Sequence, residues 1–232
     1  MAHRHDEAIG DGVAALLATT SLALARHFAA GATLWCWSPG APEHAQHVAV
    51  EFVHPVIMGT RALPAVAVLA DDVVTALRPI ARPGDVLLVV ADAEEPVATV
   101  LRRAEVWGLT TIQVGVGPRP LAPPAHHVLW LSDDPAARHD GRLVLGYHVL
   151  WELTHVCFEH PGLLAAPAVD DSGCITCSDE GRLAEVVGCE DDDAVVRTAA
   201  GVETVSTLMV GPVHPGDLVL VHAGTAITRV DG

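Results

Sequence analysis

Five short runs in the first 160 residues are apolar at nearly every position: TLWCW (33–37), AVAVLA (65–70), VLLVVA (86–91), TIQV (111–114) and HVLWL (127–131). A strand with one face in water alternates apolar and polar residues. A strand that is apolar on both faces has to be covered on both faces. Helical patterns lie between and around these runs, at 8–30, 43–53, 96–107 and 141–159. The alternation predicts an α/β doubly wound parallel five-stranded sheet of flavodoxin-like topology, with helices on either side.

The period then changes. HPGLLAAPAVDDSG (160–173) has the composition of a linker, which divides the chain into 1–160, a linker at 161–173, and 174–232. Beyond it come RLAEVV, AVVRT, GVETVST, DLVLVH and AITRV, separated by turn signals at EDDD, AAG and HPGD. Five short strands in some 60 residues predict a small all-β, OB-like barrel.

Charge and composition exclude several functions. The formal net charge of −16 argues against nucleic acid and anionic membranes as partners, because both need a basic surface. All 13 basic residues are arginine, so neither a P-loop lysine nor a Schiff-base lysine is available. Five cysteines in no regular framework suit a reducing compartment. The start, MAHRHDEAIGDG, lacks the basic lead of a secretory signal, and the apolar stretch at 13–30 is broken by Arg26 and His27. No run is expected to be long enough to span a bilayer, and a cytoplasmic location is expected.

The stretch GCITCSDEG (173–181) carries the most reactive chemistry. Its pair Cys174 and Cys177 admits three readings: half of a zinc site, a redox pair, or a thiol that holds a metal in transit. A zinc site needs Cys189 together with His214 or His222 to complete it. A redox pair normally opens a helix, whereas this one leads into the β-region.

The ending VGPVHPGDLVLVHAGTAITRV (210–230), with GVETVSTLMVGPV (201–213) before it, resembles the HypC/HupF family of [NiFe]-hydrogenase maturation chaperones. The resemblance runs over residues 174–230. It implies a chaperone that carries an Fe(CN)2CO unit, together with a HypD-like partner, to the precursor of the hydrogenase large subunit. By position before the first strand, Cys174 fits the family's iron-binding cysteine, with Cys177 the alternative and His222 near the thiol. In that family the cysteine follows the initiator methionine; here it is internal and preceded by DDSG. A single soft thiolate suits low-spin iron that must later be released.

WCWSPGAPEHAQHVAVEFV (35–53), PGDVLLVVADAEEP (83–96) and SDDPAARHDGRLVLGYHVLWEL (132–153) resemble, in order, the strand ends and loops of SIS domains of the sedoheptulose-7-phosphate isomerase type. The resemblance implies metal ligands at His47, Glu51, Asp140 and His148, with zinc or another divalent ion as cofactor. In an isomerase, Glu51 and His148 are then the general base and acid. His47 and Glu51 are four residues apart and share a helix face; Asp140 and His148, eight apart, are expected to do so too. The hydroxyl-rich phosphate loop of that family is replaced by Ala91–Pro96, with Asp92, Glu94 and Glu95, and Ala41 replaces a serine. Three carboxylates repel a phosphate at a helix N-terminus that would otherwise bind it. The expectation is therefore a chaperone rather than an enzyme, with a metal-dependent sugar-phosphate isomerase as the alternative and carbohydrate-derivative binding as its corollary. The SIS resemblance also implies a homo-oligomer. Cys36 and Cys157 are expected to be core thiols, and Trp35 and Trp37 to pack on helices.

Overall fold

The computed structural model describes residues 11–55, 59–92, 94–164 and 181–230. Its first part is a parallel sheet of five strands: β1 (Leu34–Trp37), β2 (Ala65–Ala67), β3 (Val86–Val90), β4 (Thr110–Val116) and β5 (His127–Ser132), in the order β2-β1-β3-β4-β5. All four pairings are parallel, so each connection crosses over a face of the sheet. Helices α1 (Asp11–Ala29), α2 (Pro42–Val53) and α5 (Arg142–Glu159) cover one face; α3 (Val73–Leu77) and α4 (Glu95–Val106) cover the other.

The consecutive apolar residues of the strands serve two cores. Leu34, Cys36, Val86, Leu88 and Val90 point into the α1/α2/α5 layer; Trp35, Trp37, Leu87 and Val89 point into the α3/α4 layer. Burial without a partner charge pushes the Cys36 thiol far above its ordinary range, as expected for a core thiol. Trp35 packs in the second layer and donates its indole N–H to Asp85 Oδ2 at 3.0 Å. The sequence pattern does not reveal α3. Five residues are too few for a helical period, and the helix depends on its N-cap, where Asp72 accepts from the Thr75 amide (3.0 Å) and hydroxyl (2.6 Å).

One expectation needs correction. The window Gly12–Ala29 of α1 is long and apolar enough to cross a membrane by length and composition. Its buried side nevertheless packs on α5, with Leu17, Leu24 and Phe28 in the core and the Ser21 hydroxyl donating to the Leu150 carbonyl. Arg26 and His27 interrupt charge neutrality but not the helix.

Residues 181–230 form a closed barrel of β6 (Arg182–Glu190), β7 (Asp193–Thr198), β8 (Gly201–Ser206), β9 (Leu218–His222) and β10 (Thr225–Val230), ordered β10-β8-β7-β6-β9. Among the described residues its core is built from alanine and valine: Ala184, Val186, Ala194, Val196, Val205, Val213, Val219, Val221 and Ala226, with Val210 packed against them. A barrel of five strands has room for little else. The outer face of β6 and β9 is not all in water. Leu183, Leu218 and Val230 join the α3/α4 core beside Trp107 and Leu101. Among them Glu185, 1% exposed, accepts from Trp107 Nε1 (3.0 Å) and Arg103 Nη1 (3.3 Å), with Arg78 at 3.6 Å.

Candidate functional site

In a parallel sheet of order 2-1-3-4-5 the connections leave β1 and β3 in opposite directions, and a crevice opens beyond their carboxyl ends. A cavity of about 470 Å³ lies there, lined by Ser38, Gly40, Ala41 and His44 after β1, by Asp92 and Glu94 after β3, and by Arg138 from the turn Pro135–His139. Its chemistry is mixed. Ser38 is buried and donates its hydroxyl hydrogen to the Val90 carbonyl at 2.7 Å. Asp92 is ion-paired with Arg138, so one of the three loop carboxylates is neutralised. Glu94 precedes α4 without capping it and is exposed. The side chain of Glu95 lies outside the described residues.

Beside the cavity, α2 and α5 bring histidines together. Both helices press on the same sheet face, through Ala45, Val48 and Phe52 of α2 and Leu143, Tyr147 and Leu150 of α5. Along the seam, His47 Nε2 lies 3.3 Å and His148 Nε2 3.2 Å from the same oxygen, Glu51 Oε1. The three donor atoms all lie within 4.8 Å of one another. Two tetrahedral ligands each about 2.1 Å from zinc are about 3.4 Å apart, so two edges of such a site already exist. Two imidazoles and a carboxylate are a donor set that suits zinc or iron, and they leave a coordination position open.

Asp140 is not part of this group. It precedes the helix, which starts only after Gly141 turns the chain at φ 85°, so the expected shared face with His148 does not exist. Its carboxylate instead accepts from the Arg142 amide (3.0 Å) and pairs with Arg142 Nε (2.9 Å). The structure thus gathers three of the four expected residues.

Tyr147, which no sequence pattern marks, joins this group. It is 1% exposed, its hydroxyl is 2.9 Å from His47 Nδ1 and 3.5 Å from His44 Nδ1, and its ring meets both imidazoles edge-on. Burial, assisted by the Glu51 charge, pushes its phenol up to about 12. Burial also holds the His44 imidazole below its ordinary value, with His47 acting in the same direction and Glu43 opposing. A helix-period count places Tyr147 next to His148 but has no means of showing that it faces α2.

In the barrel, His222 ends β9, paired across the tight turn with Thr225, and lies on the same side of the strand as Leu218 and Leu220, away from the valine-lined interior. It is half-buried rather than a core residue. Cys189 is exposed and donates its thiol to the Val213 carbonyl at 3.1 Å. Cys174 and Cys177 lie outside the described residues.

The fold and these sites define a two-part protein: a flavodoxin-like α/β domain with a histidine–glutamate cluster, joined to a closed five-stranded barrel. Residues 182–232 match the model of the HupF/HypC family, a match that begins with the first residue of β6 and takes in every barrel strand. Among solved structures the chain is similar to a phosphoheptose isomerase from Francisella tularensis, at 19% identity over 65% of this chain and 88% of that one, with a TM-score of 0.49. It is also similar to a phosphoheptose isomerase from Neisseria gonorrhoeae, at 16% identity over 60% of this chain and 84% of that one, with a TM-score of 0.46. No curated protein matches the chain.

Proposed function

We propose that the protein is a hydrogenase maturation chaperone whose barrel, with a HypD-like partner, helps to carry the Fe(CN)2CO unit to the precursor of the [NiFe]-hydrogenase large subunit. The observation that carries this reading is the HupF/HypC match over the whole closed barrel. Cys174 and Cys177 stand a few residues before β6, where a soft thiolate can hold iron as cargo and later release it. The acidic surface suits protein partners rather than nucleic acid. Replacing Cys174 and Cys177 by serine, singly and together, tests the reading. Loss of hydrogenase maturation, and of iron co-purifying with the partner complex, is expected from the ligand cysteine. Full maturation with both cysteines replaced refutes it.

A second reading is favoured by the His47/Glu51/His148 cluster: the α/β domain binds a divalent metal such as zinc and acts on a sugar phosphate. Bound there, the metal supplies Lewis acidity to a substrate oxygen, while His44 and Arg138 are the side chains placed to hold polar groups in the adjoining cavity. Asp92 opposes a phosphate but is paired with Arg138. Turnover of sedoheptulose 7-phosphate by the purified chain tests this reading, and its absence with zinc bound rules the activity out. A homo-oligomer formed through the α/β domain belongs to the same proposal, and light scattering on the full chain decides it.

A further inference from the structure

We propose that Tyr147 relays the state of the His47/Glu51/His148 cluster to the neighbouring cavity: cation loading reverses the Tyr147–His47 hydrogen bond and turns the tyrosine hydroxyl hydrogen onto His44. The inference rests on the reading that this cluster takes a divalent cation.

It follows from counting hydrogens. Glu51 Oε1, as a carboxylate oxygen, only accepts, and both His47 Nε2 (3.3 Å) and His148 Nε2 (3.2 Å) face it. His148 is hydrogen-bonded to that oxygen, whereas His47 Nε2 only lies near it; a bare Nε2 lone pair 3.3 Å from a carboxylate oxygen is repelled by it, so without a cation neutral His47 is favoured with its hydrogen on Nε2. A neutral imidazole then has a bare Nδ1, and the group 2.9 Å from that atom is the Tyr147 hydroxyl, which donates to it. The hydroxyl has one hydrogen. While that hydrogen is donated to His47 Nδ1, Tyr147 has none to donate to His44, whose Nδ1 is 3.5 Å away.

A cation bound at His47 Nε2 needs the lone pair of that nitrogen. The Nε2–H bond breaks and an Nδ1–H bond forms, so His47 stays neutral and the number of protons does not change. Nδ1–H now donates to the Tyr147 oxygen, which can accept, and the hydroxyl hydrogen is free to turn. His44 Nδ1 is the other acceptor within reach. Its acceptance fixes His44 in the form with hydrogen on Nε2. The number of protons is the same before and after, so the choice of tautomer rather than of charge is what changes.

His44 lines the cavity that also contains Ser38, Asp92 and Arg138. A His44 locked as an Nε2–H donor favours an oxygen acceptor such as a carbonyl, hydroxyl or phosphate oxygen. Cation loading and ligand binding are thereby coupled through one buried hydroxyl, and the coupling acts in both directions.

The test uses the full chain with nitrogen-15 in its histidines, assigned by single replacements, and long-range proton–nitrogen spectra near neutral pH with and without zinc. Zinc is expected to move the His47 hydrogen from Nε2 to Nδ1 and to convert His44 to the Nε2–H form. In Tyr147→Phe, which keeps the ring but not the hydroxyl, zinc still binds, with affinity lowered about 10-fold, the low end for loss of an outer partner, and His44 no longer responds. If zinc binds the natural chain while His44 stays unchanged, or responds equally in Tyr147→Phe, the relay is wrong and the metal reading survives. If zinc leaves His47 and His148 unshifted, the metal reading fails and the relay with it.

Discussion

Replacing Glu185 by alanine tests whether the two domains are held together by a buried carboxylate. Glu185 is 1% exposed and receives hydrogen bonds from Trp107 and Arg103, with Arg78 close by. Its removal leaves the buried indole N–H without an acceptor, at a cost of about 1–3 kcal/mol. It also leaves two guanidinium groups beside an apolar surface. Breaking a fully buried ion pair costs about 3–5 kcal/mol, but the Arg78 and Arg103 side chains are 37% and 18% exposed, so water recovers much of this. The expected net destabilisation is about 2–4 kcal/mol, taking the indole and a discounted ionic part together. Glu185→Gln keeps an acceptor for Trp107 and is expected to cost about half as much. All five tryptophans lie in the α/β part and none in the barrel, so tryptophan fluorescence during urea unfolding reports on that part and, through Trp107, on the junction. Circular dichroism follows the whole chain. The cycle with Arg103→Ala isolates the ionic pair, and a coupling of about 1 kcal/mol is expected. If Glu185→Ala lies within about 0.5 kcal/mol of the natural chain and the cycle is additive, the carboxylate does not hold the domains together.

Two further predictions concern single residues. Asp217 is held below the usual carboxylate range by its hydrogen bond from Arg229 and by the His214 amide. Because its folded value is depressed, its contribution is present above the unfolded value of about 3.9 and is lost as pH falls through the lower folded value. Asp217→Asn is therefore expected to be less stable at neutral pH by under about 1 kcal/mol, since the pair is largely solvated. That gap should close in acid, and denaturant melts at several pH values would show a constant gap if the pairing is irrelevant. Gly115→Ala is expected to destabilise by about 1–3 kcal/mol or more, because a Cβ in β4 would collide with the Trp130 ring and approach the Ala91 carbonyl to 2.7 Å. Thermal unfolding of this variant at the natural midpoint would contradict the tight packing at that position.

How much of this was legible in the sequence depended on the range of the interaction. His47 and Glu51 were found because a spacing of four puts them on one helix face. Only resemblance places His148 with them, and no local pattern marks Tyr147, because facing α2 is a property of how two helices about 100 residues apart pack. A spacing of eight puts Asp140 and His148 on one face only in unbroken helix, whereas Gly141 turns the backbone before the helix begins. Glu185 sits in a strand whose next residues, Val186 and Val187, read as ordinary barrel pattern, so nothing local marks it as an acid buried against a second domain.

What the sequence determined by itself are the quantities that repeat along the chain. Strands apolar on both faces require a sheet covered on both faces, and the later period of two with frequent turns predicts a small all-β domain. Both follow from burying apolar surface while pairing backbone groups, and so can be read from neighbouring residues. Only the tertiary structure decided two arrangements of polar side chains. One is the seam of α2 and α5, where His44, His47, Glu51, Tyr147 and His148 meet; the other is the seating of the barrel on α4 around Glu185. Each is a long-range contact among polar side chains. Their pairing across elements follows no period, because it is the packing of apolar faces elsewhere that brings them together.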